Sequence, residues 1–546
     1  MVTDPKPWLQ SYSPGMPSSL DYPRLPLYHF LQQSASLYPD RPAIIYQDPA
    51  GGNEPFARTY RELNDASERF AATLVSLGVE KGDRVAYYIQ NSPELIAGFY
   101  GILKAGAVPV PCNVMYQAEE LAYHLIDSGA QTLLCEANLY PTAQSVLQET
   151  GVANVIVAGG HVDGDVLHWE QALAQAPCRG KLPTISVDND LALLPYTGGT
   201  TGIPKGAMLT HANLVANAVQ FRDWFGYEAG REVFVATLPL FHIGGIAGVM
   251  SVPISCGGTI VLFRRFSAER VLRAIQDYGA TRFLGVPTMY IALLNHPEAG
   301  NYDLSSLRPS RTSAAPLPRA VKESFDALVG RNVLVEGYGL TETSPLTHAN
   351  PVDGAIAGSI GVPLPDTEAR IFDADDGLVE VPMGEIGEVV LRGPQVMRGY
   401  WNRPLETSEA IRDGWFYTGD LAYVDERGYF FIVDRKKDVI NAAGFKVWPR
   451  EVEEVLYQHP SIRLAAVLGV PDDYRGETVR AVIALKEGHG FSSEEAAKED
   501  ILGHCQRHLA NYKVPRIVDF RDELPMSAAG KVLRRVMRDE AAGSEQ

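Results

Sequence analysis

The chain has 546 residues, of which 46% are hydrophobic, so it is long enough to bury the cores of more than one domain. Its 48 basic and 66 acidic residues give a net charge of −18, which argues against nonspecific binding to nucleic acid. The cysteines are scattered without a Cys-X-X-Cys pair, so their spacing indicates neither a disulfide framework nor a zinc site; they are Cys112, Cys135, Cys178, Cys256 and Cys505.

The N-terminal two thirds of the sequence have the alternating strand and helix pattern of an α/β protein. The first residues lack the apolar stretch of a secretory signal, so we expect a cytoplasmic protein. From residue 43 to about residue 339, short apolar runs such as 84–89 alternate with helical stretches such as 93–104. The pattern predicts parallel sheets covered by helices.

The segment 233–263 contains no Asp, Glu, Lys or Arg and is long enough to cross a bilayer. Five glycines and Pro253 interrupt it, however, and these residues break long helices. We therefore expect two buried strands, at 233–237 and 259–263, around a short helix, and no transmembrane segment.

The last third of the sequence changes character twice. Alternating strands with turn residues fill 367–433, which predicts a β-rich subdomain. After the charged run 434–438 comes a tail with a helix at 449–458 and strands at 464–470 and 479–485. A charged run is often only a solvated surface, but here we place a domain boundary, giving domains 1–434 and 435–546.

The segment 196–206 combines glycines, hydroxyls and one lysine between a strand at 191–194 and a helix capped by Thr210. Backbone N–H groups, hydroxyls and a lysine suit a polyphosphate, although a glycine-rich surface turn is the alternative. The loop is not a Walker A motif, because Gly206 follows Lys205. The candidate phosphate ligands are Thr197, Gly198, Gly199, Thr200, Thr201, Gly202 and Lys205.

Four further motifs follow in order: 337–343 (GYGLTET), 417–420 (YTGD), 434–438 (DRKKD) and 530–531 (GK). With the phosphate loop, they make nearly the whole chain resemble the adenylate-forming superfamily of acyl-CoA synthetases, luciferases and peptide-synthetase adenylation domains. Segments 413–416 and 344–348 are most similar to bacterial medium- and long-chain fatty acyl-CoA synthetases. Gly198 departs from the family loop, which usually carries a hydroxyl residue there.

The resemblance implies an α/β fold. Its large N-terminal adenylate-forming domain would contain two α/β subdomains and a β-rich subdomain, followed by a small mobile α+β C-terminal domain. In the family, the residue at Lys437 is the hinge about which the small domain turns. The face carrying Gly444, Phe445 and Lys446 would then meet the active site in only one of two orientations.

The resemblance also implies a nucleotide site. Glu342 and Thr197 would hold Mg²⁺, Asp420 and Arg435 would bind the ribose, and Lys531 would act in adenylation. Alone, Glu342 could be a surface acid, Asp420 a turn cap and Lys531 an exposed tail lysine. The adenine would be enclosed by residues of two motifs, with Tyr338 as a stacking face or a core residue: Ala314, Ala315, Pro316, Gly337, Tyr338, Gly339 and Thr341.

The acyl site is less clear from the sequence. His242 lies in a segment that the family places beside the carboxylate and the thiol tunnel, although a histidine there is more often a packing residue. The segment 239–246 has no aspartate to pair with a substrate amine, and its glycines leave room for an alkyl chain. We expect a medium- or long-chain fatty acid, with an aryl acid as the alternative.

The expected reaction joins a carboxylic acid to AMP from ATP and then to CoA, with Mg²⁺ as cofactor. Three alternatives remain: transfer of the acyl group to a carrier protein or an amine, a luciferase-like oxygenase, and a noncatalytic nucleotide sensor. A sensor would be expected to lack Glu342 or Lys531, and both are present. The sequence is compatible with a homodimer and with transient contact with a membrane.

Overall fold

A computed structural model describes residues 6–47, 54–177, 183–197, 203–442, 445–472, 475–527 and 530–543. The strands of the part before residue 364 are β1 (Pro42–Gln47), β2 (Phe56–Thr59), β3 (Arg84–Tyr88), β4 (Val108–Pro111), β5 (Thr132–Glu136), β6 (Asn154–Ala158), β7 (Leu167–His168), β8 (Leu191–Leu193), β9 (Tyr196–Thr197), β10 (Lys205–Gly206), β11 (Leu209–Thr210), β12 (Val233–Ala236), β13 (Thr259–Phe263), β14 (Arg282–Gly285), β15 (Ser310–Thr312), β16 (Leu334–Gly339), β17 (Leu346–Ala349) and β18 (Val362–Pro363).

The later strands form two more sheets. They are β19 (Glu368–Phe372), β20 (Gly387–Arg392), β21 (Ile411–Arg412), β22 (Trp415–Val424), β23 (Phe430–Arg435), β24 (Ile440–Ala442), β25 (Phe445–Val447), β26 (Ile462–Asp472), β27 (Gly476–Leu485) and β28 (Ile517–Phe520).

Helices cover the parallel sheets and both faces of the last sheet. They are α1 (His29–Leu37), α2 (Tyr60–Ser76), α3 (Pro93–Lys104), α4 (Ala118–Ser128), α5 (Tyr140–Val146), α6 (Trp169–Ala174), α7 (His211–Trp224), α8 (Ile243–Gly245), α9 (Val252–Ser255), α10 (Ala268–Tyr278), α11 (Pro287–Leu294), α12 (Arg319–Val329), α13 (Pro404–Ala410), α14 (Pro449–Tyr457), α15 (Glu494–His508) and α16 (Arg534–Gly543). A π-helix, Ile246–Ser251, joins α8 to α9.

Two sheets of the N-terminal part have parallel cores. One has the order β18-β17-β16-β15-β14-β12-β13-β1-β2, with β14, β15 and β16 parallel neighbours. The other, β4-β3-β5-β6-β7, is parallel throughout. The expected fold class, two α/β subdomains followed by a β-rich subdomain and a small α+β domain, is confirmed.

The β-rich subdomain and the C-terminal domain follow as predicted. Strands β19, β20, β22 and β21 form an antiparallel sheet, and β23 pairs with β22 at its edge. The C-terminal sheet, β25-β24-β27-β26 with β28 on β27, has its own apolar core beneath α14 and α15. Since β23 ends at Arg435 and β24 begins at Ile440, the charged run connects the two sheets.

The uncharged segment 233–263 forms the interior of the large sheet. Strands β12 and β13 pair in parallel at its two ends, and the helical turns between them are buried. The prediction of two strands around a short helix is therefore confirmed. Along the ranges the structure describes, no helix has the length and apolar character that crossing a bilayer requires.

Two adjacent glycines in α8 have different surroundings. A Cβ built on Gly245 would lie 2.0 Å from the carbonyl oxygen of Pro239, so the helix can approach this turn only without a side chain. A Cβ on Gly244 would meet nothing within 4 Å, so this glycine borders open space. The turn after Pro239 thus depends on Gly245 for packing, while Gly244 does not.

This difference predicts different stabilities for two alanine variants. Gly245→Ala should cost about 3 kcal/mol because backbone must move to admit the methyl group. Gly244→Ala should unfold close to the wild-type temperature. Thermal unfolding of the two purified variants measures the difference, and equal midpoints would show that the turn is not constrained as described.

Candidate active site

The two ends of the phosphate loop are held together by a short antiparallel pair. Thr197 on β9 lies opposite Lys205 on β10 in this pair. The predicted ligands Gly198, Gly199, Thr200, Thr201 and Gly202 lie outside the described residues. Thr197 and Lys205 are both partly accessible at the base of this turn.

A segment distant in sequence docks against the base of the loop. The N–H of Trp401 donates to the carbonyl of Gly206 at 2.8 Å, and the N–H of Met208 donates to the carbonyl of Gly399 at 2.9 Å. This pairing places the ring of Tyr400 5.1 Å from Nζ of Lys205. The lysine therefore lies over an aromatic face that can stabilise its charge.

Tyr400 also links the loop to Glu342. Its hydroxyl donates a 2.8 Å hydrogen bond to Oε1 of Glu342, whose backbone carbonyl accepts from the N–H of Met397 at 2.7 Å. Glu342 is only 9% exposed, so it is not the surface acid of the alternative interpretation. Burial raises the pKa of its carboxyl group, and Asp420 adds a smaller increase that is opposed by Tyr400 and Arg435.

These surroundings fit a bound magnesium ion. A buried carboxylate that lacks enough nearby positive charge is stabilised by a cation, and Mg²⁺ usually takes only one or two protein carboxylates beside substrate phosphates. Glu342, with Thr197 near the phosphate loop, has the chemistry to hold this ion.

Asp420 lies at the meeting point of two sheets. Strand register sets it opposite Arg435, whose Nε lies 3.5 Å from its Oδ1. Its Oδ2 accepts a 2.6 Å hydrogen bond from the hydroxyl of Tyr338 at the end of β16. Burial raises the pKa of Asp420, while Arg435 and Tyr338 oppose that increase. The predicted ribose ligands Asp420 and Arg435 are thus brought together, and Tyr338 joins them.

Lys531 from the C-terminal domain faces the same cluster. The preceding residue, Gly530, accepts a 2.9 Å hydrogen bond through its carbonyl from the hydroxyl of Thr288 in the N-terminal part. Burial lowers the pKa of Lys531 to about 8; the nearby Arg435 lowers it further and Asp420 opposes the change. Lys531 is therefore a docked side chain rather than the exposed tail lysine of the alternative interpretation.

The residues expected around the adenine lie just after β15, in the last three positions of β16 and just beyond β16. Ala314 has a φ of +71°, an unusual conformation for a residue with a side chain, and both it and Pro316 are exposed, with Ala315 partly so. Thr341 begins a short turn before Glu342.

Gly337 and Gly339 of the second adenine motif lie where neighbouring residues pack closely. A Cβ on Gly339 would lie 1.7 Å from the carbonyl oxygen of Pro345, and one on Gly337 would lie 3.1 Å from Cδ of Arg311. The close approach of β16 and β17 therefore requires glycine at 339, whatever ligand lies beside it.

His242 is accessible and yet enclosed. Its side chain is exposed to solvent, whereas the surrounding protein lowers its pKa to about 4 through burial. Solvent exposure and a pKa lowered by burial are compatible if the imidazole lies on the wall of a deep cleft, because water can reach the ring there while protein surrounds it. It is neutral at pH 7 and precedes Gly244, which borders open space.

The predicted hinge lies between two anchored acidic residues. Lys437 is exposed in the turn after β23. Asp434 accepts from the backbone N–H of Arg450 at 3.0 Å, and Asp438 lies 3.2 Å from Nη2 of Arg538. Arg534 lies within 4.0 Å of both acids, so α16 spans the hinge in this orientation.

The face predicted for thioester formation is turned to solvent. Phe445 is 57% exposed and stacks on Tyr512 of its own domain, with ring centroids 4.9 Å apart, and Lys446 beside it is exposed. Gly444 lies outside the described residues. The structure thus brings Lys531, and not this face, to Asp420.

Sequence reasoning missed Tyr400, Arg450 and Glu336. Arg450 reaches from α14 to the carbonyl of Ile432 at 2.6 Å and to Oε1 of Glu336 at 3.6 Å, bridging the two domains. Burial raises the pKa of Glu336 to about 7, which Arg450 partly opposes. An acid inside the apolar strand before Gly337 was a readable signal for Glu336; nothing local indicates the partners of Tyr400 and Arg450.

Known proteins resemble this chain along almost its whole length. A long-chain-fatty-acid–CoA ligase of Bacillus subtilis (strain 168) is 39% identical, covering 98% of both chains. The crystal structure of an anthranilate CoA ligase in complex with anthranoyl-AMP superposes with a TM-score of 0.89 at 29% identity, covering 97% of this chain and all of the other. A long-chain-fatty-acid–CoA ligase from Archaeoglobus fulgidus gives 0.72 at 31% identity, covering 93% and 99%.

Two family models match this chain, one in its large N-terminal part and the other in its small C-terminal part. The model described as AMP-binding enzyme matches residues 31–401, which contain the phosphate loop and Glu342. The model described as AMP-binding enzyme C-terminal domain matches residues 451–531, ending at Lys531. The resemblance expected from the motifs is confirmed: the chain belongs to the AMP-binding enzyme family.

Proposed function

We propose that this protein activates a carboxylic acid with ATP, forming an acyl-AMP and then an acyl-CoA, with release of pyrophosphate and AMP. The observation that carries the proposal is the convergence of Lys531 and Arg435 on the buried Asp420, with Glu342 close enough for its pKa to be affected by both Asp420 and Arg435. Cations brought together from two distant segments of the chain suit a site in which a polyanion reacts.

In the first half-reaction, an oxygen of the acid attacks the α-phosphorus of ATP. The bond from that phosphorus to the oxygen bridging the β-phosphate breaks, and pyrophosphate leaves with the electron pair. Lys531 offsets charge at the reacting phosphate, while Lys205 holds the departing phosphates. Mg²⁺, when held by Glu342 and Thr197, offsets further phosphate charge. Asp420 and Arg435 fix the ribose.

In the second half-reaction, the thiol sulfur of CoA attacks the acyl carbon and loses its proton. The bond between that carbon and the phosphate oxygen breaks, and AMP leaves with the electron pair. Lys531 must withdraw to admit the thiol, so we infer rotation at Lys437 that brings the face of Gly444, Phe445 and Lys446 inward. Neutral His242 on the cleft wall can donate or accept a hydrogen bond there.

We favour a medium- or long-chain fatty acid as substrate. The relatives from Bacillus subtilis and Archaeoglobus fulgidus carry the name of long-chain-fatty-acid–CoA ligases, and the former covers the chain at higher identity than the anthranilate ligase does. Gly244 leaves the cleft open beside His242, as an alkyl chain needs. An aryl acid, a carrier-protein acceptor and an amine acceptor are the alternatives.

The direct test is product analysis. The purified protein is incubated with ATP, Mg²⁺ and a panel of short, long and aryl acids, with and without CoA, and acyl-AMP and acyl-CoA are measured by mass spectrometry. We expect acyl-CoA from fatty acids. Acyl-AMP that accumulates despite CoA would assign a different acceptor, and no ATP consumption would favour the sensor.

Removing Lys531 should separate the half-reactions. We expect Lys531→Ala to slow acyl-AMP formation by about 10²–10³-fold, the cost of losing one transition-state contact, and to leave thioester formation from supplied acyl-AMP largely unchanged. Lys486→Ala, which removes an exposed lysine of the same domain, is the matched control. Equal loss of both half-reactions would contradict the role given to Lys531.

The lowered pKa of Lys531 predicts a pH dependence. Since its pKa is about 8 instead of 10.5, the free enzyme loses this charge as pH rises through 8. The kcat/KM for ATP in acyl-AMP formation should therefore fall above pH 8, because this parameter reports the free enzyme. Lys531→Arg should move the fall to higher pH. A profile identical in both proteins would assign the fall to another group.

Restricting the hinge should impair the other half-reaction. Lys437→Pro fixes one backbone angle at the turn, so we expect thioester formation to fall more than acyl-AMP formation. Lys437→Ala keeps the backbone free and should retain both. The two half-reactions are measured separately, with acyl-AMP supplied for the second, and unchanged thioester formation in the proline variant would argue against rotation at this residue.

A further inference from the structure

Helix α4 contacts both ends of the phosphate loop. The hydroxyl of Tyr123 donates a 2.8 Å hydrogen bond to the carbonyl of Pro204, directly before the loop lysine. One turn further along the helix, Oδ2 of Asp127 accepts a 2.7 Å hydrogen bond from the hydroxyl of Tyr196, directly before the first threonine of the loop. Residues four apart lie on the same face of a helix. One face of α4 therefore holds the chain on both sides of the loop.

Asp127 also binds the segment 397–403, which docks against the base of the loop. Its Oδ1 lies 2.8 Å from Nη2 of Arg403, and its backbone carbonyl accepts a 3.1 Å hydrogen bond from the indole N–H of Trp401. The same segment carries Tyr400, whose hydroxyl donates to Glu342. Asp127 is thus the residue at which the helix, the loop and the docking segment meet.

The contacts of Asp127 are shielded from water. Its side chain is only 12% exposed, and the ring of His124 packs against the ring of Tyr196 with centroids 4.6 Å apart. Burial raises the pKa of Tyr196, and Asp127 raises it further, so the hydroxyl keeps the proton that it donates. A hydrogen bond to an ionised acceptor is about twice as strong as one between neutral groups. The contact between Tyr196 and Asp127 is therefore suited to fix the position of the strand end.

The position of this strand end matters for the proposed chemistry. Thr197 and Lys205, assigned above to the metal ion and to the departing phosphates, directly follow the anchored residues Tyr196 and Pro204. A misplacement of about 1 Å in a group that orients a reactant can slow a reaction by about 10²-fold. Asp127 can therefore affect the reaction of ATP without touching a reacting atom.

We propose that Asp127 is a positioning residue for ATP, holding the phosphate loop through Tyr196 and the docking segment through Arg403 in one fixed arrangement. The inference deepens the proposed function and rests on it. In this arrangement Lys205, above the ring of Tyr400, meets the departing phosphates in the geometry that acyl-AMP formation requires. Thioester formation begins after pyrophosphate has left, so it does not depend on this arrangement.

The first test removes one hydroxyl. Tyr196→Phe should lower kcat/KM for ATP in acyl-AMP formation by about tenfold, because the loop loses its tie to Asp127. Thioester formation from supplied acyl-AMP should stay unchanged. Tyr12→Phe is the matched control, since it removes a hydroxyl that makes an equally short hydrogen bond, 2.7 Å to the carbonyl of Pro363. Pyrophosphate release measures the first step, and mass spectrometry of acyl-CoA measures the second.

A double-mutant cycle tests whether Tyr196 acts through Asp127. Asp127→Ala should lower kcat/KM for ATP by about 10²-fold, and Tyr196→Phe should then cause little further loss. Asp127→Asn keeps an acceptor oxygen and should retain part of the activity. Calorimetric titration with ATP should show weaker binding in the same order, which reports the loop without turnover.

The outcomes separate this inference from the proposed function. An unchanged kcat/KM for ATP in Tyr196→Phe, equal loss of both half-reactions, or additive losses in the cycle would overturn the role given to Asp127 and leave the ligase intact. Absence of acyl-AMP with the wild type and every acid would instead contradict the proposed function. If Asp127→Ala does not fold, Tyr196→Phe and Asp127→Asn decide, in a cycle of their own.

Discussion

The buried carboxylates of Asp420 and Glu342 set the main constraint on this site. Exclusion of water raises the pKa of both, and Asp420 adds a smaller increase to the pKa of Glu342. Such a pair is stable in its charged form only if cations and donors surround it. Arg435, Tyr338 and Tyr400 supply part of this, and Lys531 of the small domain adds a further charge.

Lys531 reaches the site only when the small domain is in this orientation. Arg450 and Arg534 hold the small domain across the connecting run through Ile432, Glu336 and Asp434. Many of these contacts are ion pairs at partly shielded positions, which can be exchanged for water at lower cost than a packed apolar interface. A site held this way can keep Lys531 docked for one step and release it for the next, which is what two half-reactions on one surface demand.

The sequence predicted the fold class and the principal charged residues because each motif is local. Glycines around Lys205, and the short motifs that contain Glu342 and Asp420, signal their chemistry within a few residues. Tyr400 and Arg450 could not be predicted, since their partners are brought together by pairing of distant segments. Gly339 was assigned to adenine, and its contact with Pro345 shows a packing requirement that no local pattern contains.

The central claim is that one small domain presents two faces to one site in turn, and an interdomain distance tests it directly. Spin labels at Glu409 and Glu499, both exposed and on opposite sides of the hinge, report that distance by pulsed electron spin resonance. We predict one distance with ATP and Mg²⁺ alone, and a second, separate distance once a nonhydrolysable acyl-AMP analogue and CoA are bound. The same single distance in both states would contradict the account, because Lys531 would then occupy the site throughout the reaction.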